Sequence, residues 1–336
     1  MASGVRSAPW TRRQALRYLG AGAAAGVGWA PGAAAEPPPE TTTVRLLDHP
    51  VLCLAPQYVA AELLRAEGIT DVRFVAHPRW DEALSAGAVD MSLLFTPSVV
   101  VQIDVGAPIV VLAGGHAGCA ELIGRPGTRS TRELKGERVA VTALRGDEQN
   151  FTSMFVAQVG LDPRRDIEWI VRPFTDMPAL LADGTVDAFF VGPTFSLELR
   201  ERKVGRVLVS TTTDKPWSQY FCCLLAGRRD FVRRYPVATR RILRALLKAN
   251  DLCAREPERM ARLLAERGRG VRYEHALQML RELPYGRWRQ YDAEDTLRFY
   301  ALRLHEVGLI RGTPRTVIAQ GADWRHYREL RRELKG

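Results

Sequence analysis

Residues 83–97 read Ala-Leu-Ser-Ala-Gly-Ala-Val-Asp-Met-Ser-Leu-Leu-Phe-Thr-Pro, and residues 179–193 read Ala-Leu-Leu-Ala-Asp-Gly-Thr-Val-Asp-Ala-Phe-Phe-Val-Gly-Pro. The two stretches say the same thing about 96–97 residues apart. Each is a short helix stopped at a glycine (Gly87, Gly184), then Val-Asp, then an apolar strand that runs to a proline. Glycine suits the left-handed residue that ends a helix, and an unbroken apolar run suits a strand buried on both faces. A helical segment and a further apolar strand follow each copy, at 109–113 and at 206–209.

The match extends backwards. Residues 44–47 predict a strand and residues 56–67 a helix with Val59, Ala60, Leu63 and Leu64 on one face; Gly68 ends it and 72–75 begins the next strand. In the second half, 138–142 is a strand, 148–159 a helix ending at Gly160, and 168–171 a strand. Strands alternating with helices in both halves predict two α/β lobes with largely parallel sheets. From about residue 230 the chain reads as helical.

Two such lobes imply a cleft, and open α/β sheets bind ligands beyond the carboxyl ends of their strands. Those ends are Asp48-His49, Thr96-Pro97-Ser98, residues 143–149 and Gly192-Pro193-Thr194. Arg145-Gly146-Asp147 opens a helix, where free backbone N–H groups suit an anion; the same residues also read as a plain helix cap. Asp90 and Asp187 fall at strand beginnings, away from the cleft, and read as structural rather than catalytic.

The 336 residues leave room for about two domains. With 46% apolar and 26% charged residues, the chain is neither disordered nor fibrous. The long uncharged run at 18–35 is mostly Ala and Gly, so no direct membrane span is expected. Of the net charge of +10, four positive charges (Arg6, Arg12, Arg13, Arg17) lie in residues 1–35, which hold no acid. The basic residues of the C-terminal part are interspersed with Glu, as in Arg255-Glu256 and Glu258-Arg259, and read as solvated helix faces rather than a nucleic-acid surface.

Residues 1–35 read as an export signal: Arg12-Arg13, a weakly apolar stretch, and an Ala-Ala-Ala site before Glu36. The paired arginines resemble a twin-arginine signal, although Ala15 stands where a bulkier apolar residue is commoner. Cleavage near Ala35 would leave a periplasmic chain. Its cysteines, Cys53, Cys119, Cys222, Cys223 and Cys253, show no Cys-x-x-Cys spacing, and the six histidines no His-Glu-x-x-His. Neither a metal site nor a cofactor is therefore expected. Adjacent Cys222 and Cys223 are poorly placed to bond each other, which leaves buried free thiols or a bond from one of them to Cys119. The run Gly114-Gly115-His116-Ala117-Gly118 lacks a phosphate-loop lysine and reads as a hinge or turn.

The Gly-x-Val-Asp phrase with its following proline, and Glu133-Leu134-Lys135-Gly136-Glu137-Arg138-Val139-Ala140-Val141, resemble motifs of a known family. So does the phrase from Arg228-Arg229-Asp230-Phe231 to Arg234-Tyr235-Pro236. Across about residues 44–265 the chain is similar to the substrate-binding proteins of nitrate, sulfonate and taurine ABC importers and to the pyrimidine-precursor (NMT1/THI5-like) group. The resemblance implies a type II periplasmic-binding-protein fold. Lobe 1 would hold residues 41–117 plus 222–336 with the helical C-terminal extension, and lobe 2 residues 118–221. Crossovers near 115–119 and 217–223 would bring Cys119 towards Cys222 or Cys223. It also implies a monomer that carries a small organic anion or a heteroaromatic compound to an ABC permease and its ATPase. A ligand sensor of the same fold is the alternative. The enzymes of the group hold their cofactor with a lysine and a nearby histidine; Leu94 and Ser98 stand at those positions, so an enzyme is not expected.

The ligand-binding candidates carried across are unequal. Asp48-His49 replaces the Trp-Gln of the pyrimidine-type relatives, and His49 reads either as a contact or as a surface residue. Thr96 and Ser98 offer hydroxyls, Arg145 a charge, Gly146 and Asp147 a helix start, Pro193 a strand end, and Trp217 and Tyr220 stacking faces.

Overall fold

The computed structural model describes residues 36–49, 51–267 and 271–335; the expected export signal lies outside these residues. Residues 39–336 form one unit, and among its described residues ten strands assemble into two sheets. In chain order they are β1 (Thr43–Leu47), β2 (Asp71–Val75), β3 (Met91–Phe95), β4 (Ile109–Ala117), β5 (Glu121–Gly124), β6 (Glu137–Val141), β7 (Ile167–Val171), β8 (Ala188–Val191), β9 (Arg206–Ser210) and β10 (Phe221–Arg228). One sheet has the order β2-β1-β3-β10-β4 and the other β7-β6-β8-β5-β9.

The two orders are one topology written twice, as the repeat requires. Each lobe contributes four strands running the same way, with a fifth wedged between the third and fourth. That fifth strand is antiparallel to both neighbours: β10 against β3 and β4, β5 against β8 and β9. The largely parallel sheets expected from the sequence are therefore mixed. The reason is connectivity. β4 passes directly into β5 through residues 118–120, and β9 into β10 through residues 211–220, so the strands that enter or return across the two crossovers run against the rest.

The repeat reaches the ion pairs. At the start of β3, Asp90 accepts from the Arg45 backbone N–H at 2.8 Å and pairs with its guanidinium at 2.6 Å. At the corresponding point of the second lobe, Asp187 accepts from the Arg138 backbone N–H at 2.9 Å and from its Nε at 3.2 Å. Both aspartates lock the strand of their motif to the parallel strand beside it, β1 or β6, which is the structural role the sequence suggested.

Helices α1 (Ala55–Ala66), α2 (Thr96–Asp104), α3 (Asp147–Gln158), α4 (Met177–Ala182) and α5 (Pro193–Glu201) follow the strands. From residue 229 the chain is helical, as expected: α6 (Arg229–Arg234), α7 (Pro236–Arg255), α8 (Pro257–Glu266), α9 (Tyr273–Glu282), α10 (Ala293–Glu306), α11 (Pro314–Gly321) and α12 (Arg325–Glu333). α7 lies on α1, where the buried Arg244 meets the Glu67 carboxylate at 2.5 Å. α10 is capped by Asp292, which accepts from the N–H groups of Glu294 and Asp295. It presents Phe299 and Tyr300 to rings of the second lobe.

The crossovers are tight. Gly114 and Gly115 are part of β4 rather than a turn. A Cβ on Gly114 would sit 2.2 Å from the Phe221 ring, and one on Gly115 2.8 Å from the Cys223 carbonyl oxygen. Ala120 and Thr211, one from each crossover, exchange backbone N–H donors at 2.9 Å.

Candidate functional site

The carboxyl ends of both parallel strand sets face one another, and the two lobes touch there. On one side the Leu52 backbone N–H donates to Thr194 Oγ1 at 3.0 Å. On the other, Ser98 at the start of α2 donates to the Asp147 carboxylate at the start of α3, and Asn150 Nδ2 reaches Ser98 Oγ at 3.3 Å. Between these contacts runs a chain of rings: His49 on Trp80 (4.9 Å), Trp80 on Phe95 (5.4 Å), then Phe95 on Phe151 (5.3 Å) and Phe190 (5.9 Å). The first three belong to the first lobe and the last two to the second.

Beside this seam lies an open groove of about 500 Å³, lined among others by Arg79, Asp81, Ser98, Gln102, Leu144 and Arg145. Its size suits a small molecule. Arg79 is committed to Asp81, with contacts of 3.0 and 2.8 Å, and to Glu82. Arg145 is exposed, with a left-handed backbone (φ 62°), and reaches the Leu309 carbonyl only at 3.4 Å. The first turn of α3 carries Asp147 and Glu148. Burial, and next the nearby Asp81 carboxylate, push the Asp147 carboxyl well above its usual range. Burial raises Glu148 as well. Burial holds the half-buried His49 imidazole below its ordinary value.

Several acceptors here are buried without a partner among the described residues: Asp147 Oδ2, Asn150 Oδ1 and Gln102 Oε1. A buried acceptor left unpaired is costly, and such groups mark where a donor is wanted.

The expected residues divide. Ser98, Arg145, Gly146 and Asp147 come together at the seam, and His49 stands at the end of the ring chain. Asp48 is buried and accepts from the Tyr58 hydroxyl at 3.3 Å. Thr96 is fully buried, with its hydroxyl on the Phe221 carbonyl at 2.8 Å, a bond inside the fold. Pro193 opens α5 and borders a small pocket with Cys119 and Glu121. The stacking faces expected of Trp217 and Tyr220 are taken by protein. Trp217 is buried against Phe155 and Phe299, and Tyr220 lies flat on Phe299 at 3.9 Å. Phe299, which covers both, comes from a C-terminal helix in which no motif was legible. Asn150, Trp80, Phe95 and Gln102 were missed. Asn150 falls one helical turn after Gly146, a spacing that places it on the same helix end; Trp80 sits in an irregular stretch that carries no periodic signal.

A second cluster occupies the crossovers. The Sγ atoms of Cys53, Cys119 and Cys223 and one ring nitrogen of His116 all lie within 4.8 Å of one another, and all four residues are buried. Cys222 Sγ is 3.3 Å from Cys119 Sγ, and the five cysteines are free thiols. The sequence offered no metal-ligand spacing because these residues are scattered from position 53 to position 223, and only the crossing of the chain gathers them.

Two α/β lobes of repeated topology, joined by two crossovers and meeting at the carboxyl ends of their strands, define the type II periplasmic-binding fold. Residues 37–267 match the NMT1-like family, and the chain belongs to it. Over 264 residues, 70% of this chain, it is 24% identical to the nitrate/nitrite binding protein NrtA of Nostoc sp., and the match spans 60% of that protein's length. Over 110 residues, 32% of this chain and 24% of that protein, it is 30% identical to the bicarbonate-binding protein CmpA of Synechococcus sp.. Among solved structures, the periplasmic nitrate-binding protein NrtA from Synechocystis superposes with a TM-score of 0.74 at 19% identity, covering 88% of this chain and 90% of that one. The alkanesulfonate-binding protein SsuA from Xanthomonas axonopodis, bound to MOPS, gives 0.67 at 17% identity, covering 85% and 99%.

Proposed function

We propose that this chain is the solute-binding component of an ABC importer, exported to the periplasm, and that its cargo is a small heteroaromatic compound bearing N–H donors. Transport is supported by the family and by relatives named for binding nitrate, bicarbonate and alkanesulfonate. A 93-residue match, 29% identical, to the bicarbonate transport ATP-binding protein CmpC supports partnership with an ATPase. The observation that carries the choice of cargo is the set of acceptors without a partner among the described residues, Asp147 Oδ2 and Asn150 Oδ1 at the start of α3 and Gln102 Oε1 on the groove wall. Two acidic residues in the first turn of α3 oppose a bare anion at that helix end.

An organic anion is the second reading, and Arg145, exposed at the groove, favours it. Titration calorimetry on the mature chain separates the two. The solute is first identified by mass spectrometry of what co-purifies and by thermal-shift screening of pyrimidines, carboxylates and sulfonates. For a heteroaromatic donor, Asp147→Ala weakens binding by about tenfold or more, the worth of one hydrogen bond to a buried polar group, and Arg145→Ala leaves it within about threefold. The opposite ranking assigns an anion. A solute returned chemically altered would overturn the transport reading, and a full-length chain retained in the cytoplasm would overturn export.

A further inference from the structure

The thiol and imidazole cluster at the crossovers is built like a coordination sphere. Cys53 comes from the turn Leu52–Leu54, which follows β1. His116 comes from the end of β4, Cys119 from the first crossover, and Cys223 from the start of β10. We propose that Cys53, His116, Cys119 and Cys223 bind one thiophilic d10 cation, with zinc(II) the best match to the donor count, and that this ion clamps the pivot on which the lobes turn. Three thiolates and one imidazole are the donors of a closed structural zinc site. With metal–sulfur bonds of about 2.3 Å, tetrahedral ligands stand about 3.8 Å apart, and the donor atoms here, all within 4.8 Å of one another, need only a small contraction.

The surroundings fit this use. His116 Nε2 lies 3.1 Å from the Cys53 carbonyl oxygen and Nδ1 3.4 Å from that of Ala117, so one ring nitrogen can hold its proton on a carbonyl, the kind of contact that orients a metal-bound imidazole, while the other serves the ion. Cys119 has a left-handed backbone (φ 109°), unusual for a residue with a side chain, and its N–H is held by Thr212 Oγ1 at 3.1 Å. Loading replaces three thiol protons by one dication, so three protons leave and the site carries one net negative charge. Cys222 Sγ, 3.3 Å from Cys119 Sγ, lies against the ligand set without belonging to it. The ion is distinct from the cargo, because the site lies at the crossovers and not in the groove.

The test reads metal and thiols, and so is independent of which solute is carried. Exported wild-type protein is purified without chelators and analysed by inductively coupled plasma mass spectrometry and intact mass. One zinc or copper ion per chain is expected, lost in C53S and in C223S and kept in C253A, whose buried thiol on α7 is outside the cluster. Because a serine variant may fail to fold, stripped wild-type protein is also reloaded with cobalt(II). The intense bands of a tetrahedral thiolate site, and a rise in melting temperature, support the proposal. A chain two hydrogens lighter and free of metal reveals a disulfide instead, from Cys119 to Cys222 or Cys223, and overturns it. Five alkylatable thiols with no cobalt bands overturn it as well.

Discussion

With no donor at its free oxygen among the described residues, Asp147 is a carboxyl group that the fold would rather keep protonated; a solute N–H seated there would favour the acceptor carboxylate instead. Asp147 is 2% exposed, its Oδ2 lacks a partner, and burial raises its affinity for a proton well above that of a free carboxyl. Between the ordinary carboxylate range and its raised value, the folded chain holds a proton that the unfolded chain has released, so this residue makes stability fall as pH rises through that window. Asp147→Asn removes the titration while keeping an oxygen for Ser98. Its melting temperature should exceed that of the wild type by about 2 °C or more at pH 7–8, a change of about 1 kcal/mol, and the gain should vanish below about pH 4. A gain independent of pH would mean that the carboxyl is not the source. The same residue shows what was legible. Arg145-Gly146-Asp147 announced a helix start at a strand end, and the structure puts one there. That Ser98 would meet it required knowing that two helices from different lobes converge, which no spacing within either segment records.

At the scale of elements, the duplicated Val-Asp motif acts as a pair of equivalent latches. Asp90 ties β3 to β1 through Arg45, and Asp187 ties β8 to β6 through Arg138 and is joined by Arg125 at 3.1 Å. Replacing either aspartate with alanine should cost about 2 kcal/mol, the range for hydrogen bonds to charged groups, with Asp187→Ala the costlier because its carboxylate is 1% exposed against 8% for Asp90. The latches belong to different sheets, so the double variant should lose close to the sum in chemical denaturation. A large departure from additivity would show that the two sheets are not independent in this respect. These elements were readable because a buried strand, a glycine stop and a proline repeat as a unit. The direction of β5 and β10 was not, since an apolar run reads the same in both directions and only the crossovers decide it. Nor was the filling of the Trp217 and Tyr220 faces, which depends on Phe299 from a helix roughly eighty residues further on.

Across the whole molecule, the lobes meet at the cleft through a few hydrogen bonds and a ring seam, and are bridged elsewhere by Glu201 with Arg272 and His275 at the start of α9 and by Phe299 and Tyr300 of α10. Leu52 to Thr194 closes one side, Ser98 to Asp147 and Asn150 the other, and Phe95 meets Phe151 and Phe190 between them. Burying the rings favours closure without direction, whereas the hydrogen bonds fix where it stops. Each such bond contributes about 1 kcal/mol net, so removing both sides with Ser98→Ala and Thr194→Val should shift the balance between closed and open forms by roughly thirtyfold to a hundredfold. The crossovers, with their reciprocal Ala120–Thr211 bonds and the glycines pressed on Phe221 and Cys223, are untouched by these changes and should keep the pivot intact. Small-angle scattering should therefore show a larger radius of gyration for the double variant than for the wild type, with unchanged helical content by circular dichroism. A saturating solute should restore the compact form at a correspondingly weakened apparent affinity, because it must supply the closing energy itself. If the double variant stays compact even when Glu201→Ala also removes the pairs to Arg272 and His275, closure rests on the ring seam. Phe95→Ala would then be the change that opens the molecule.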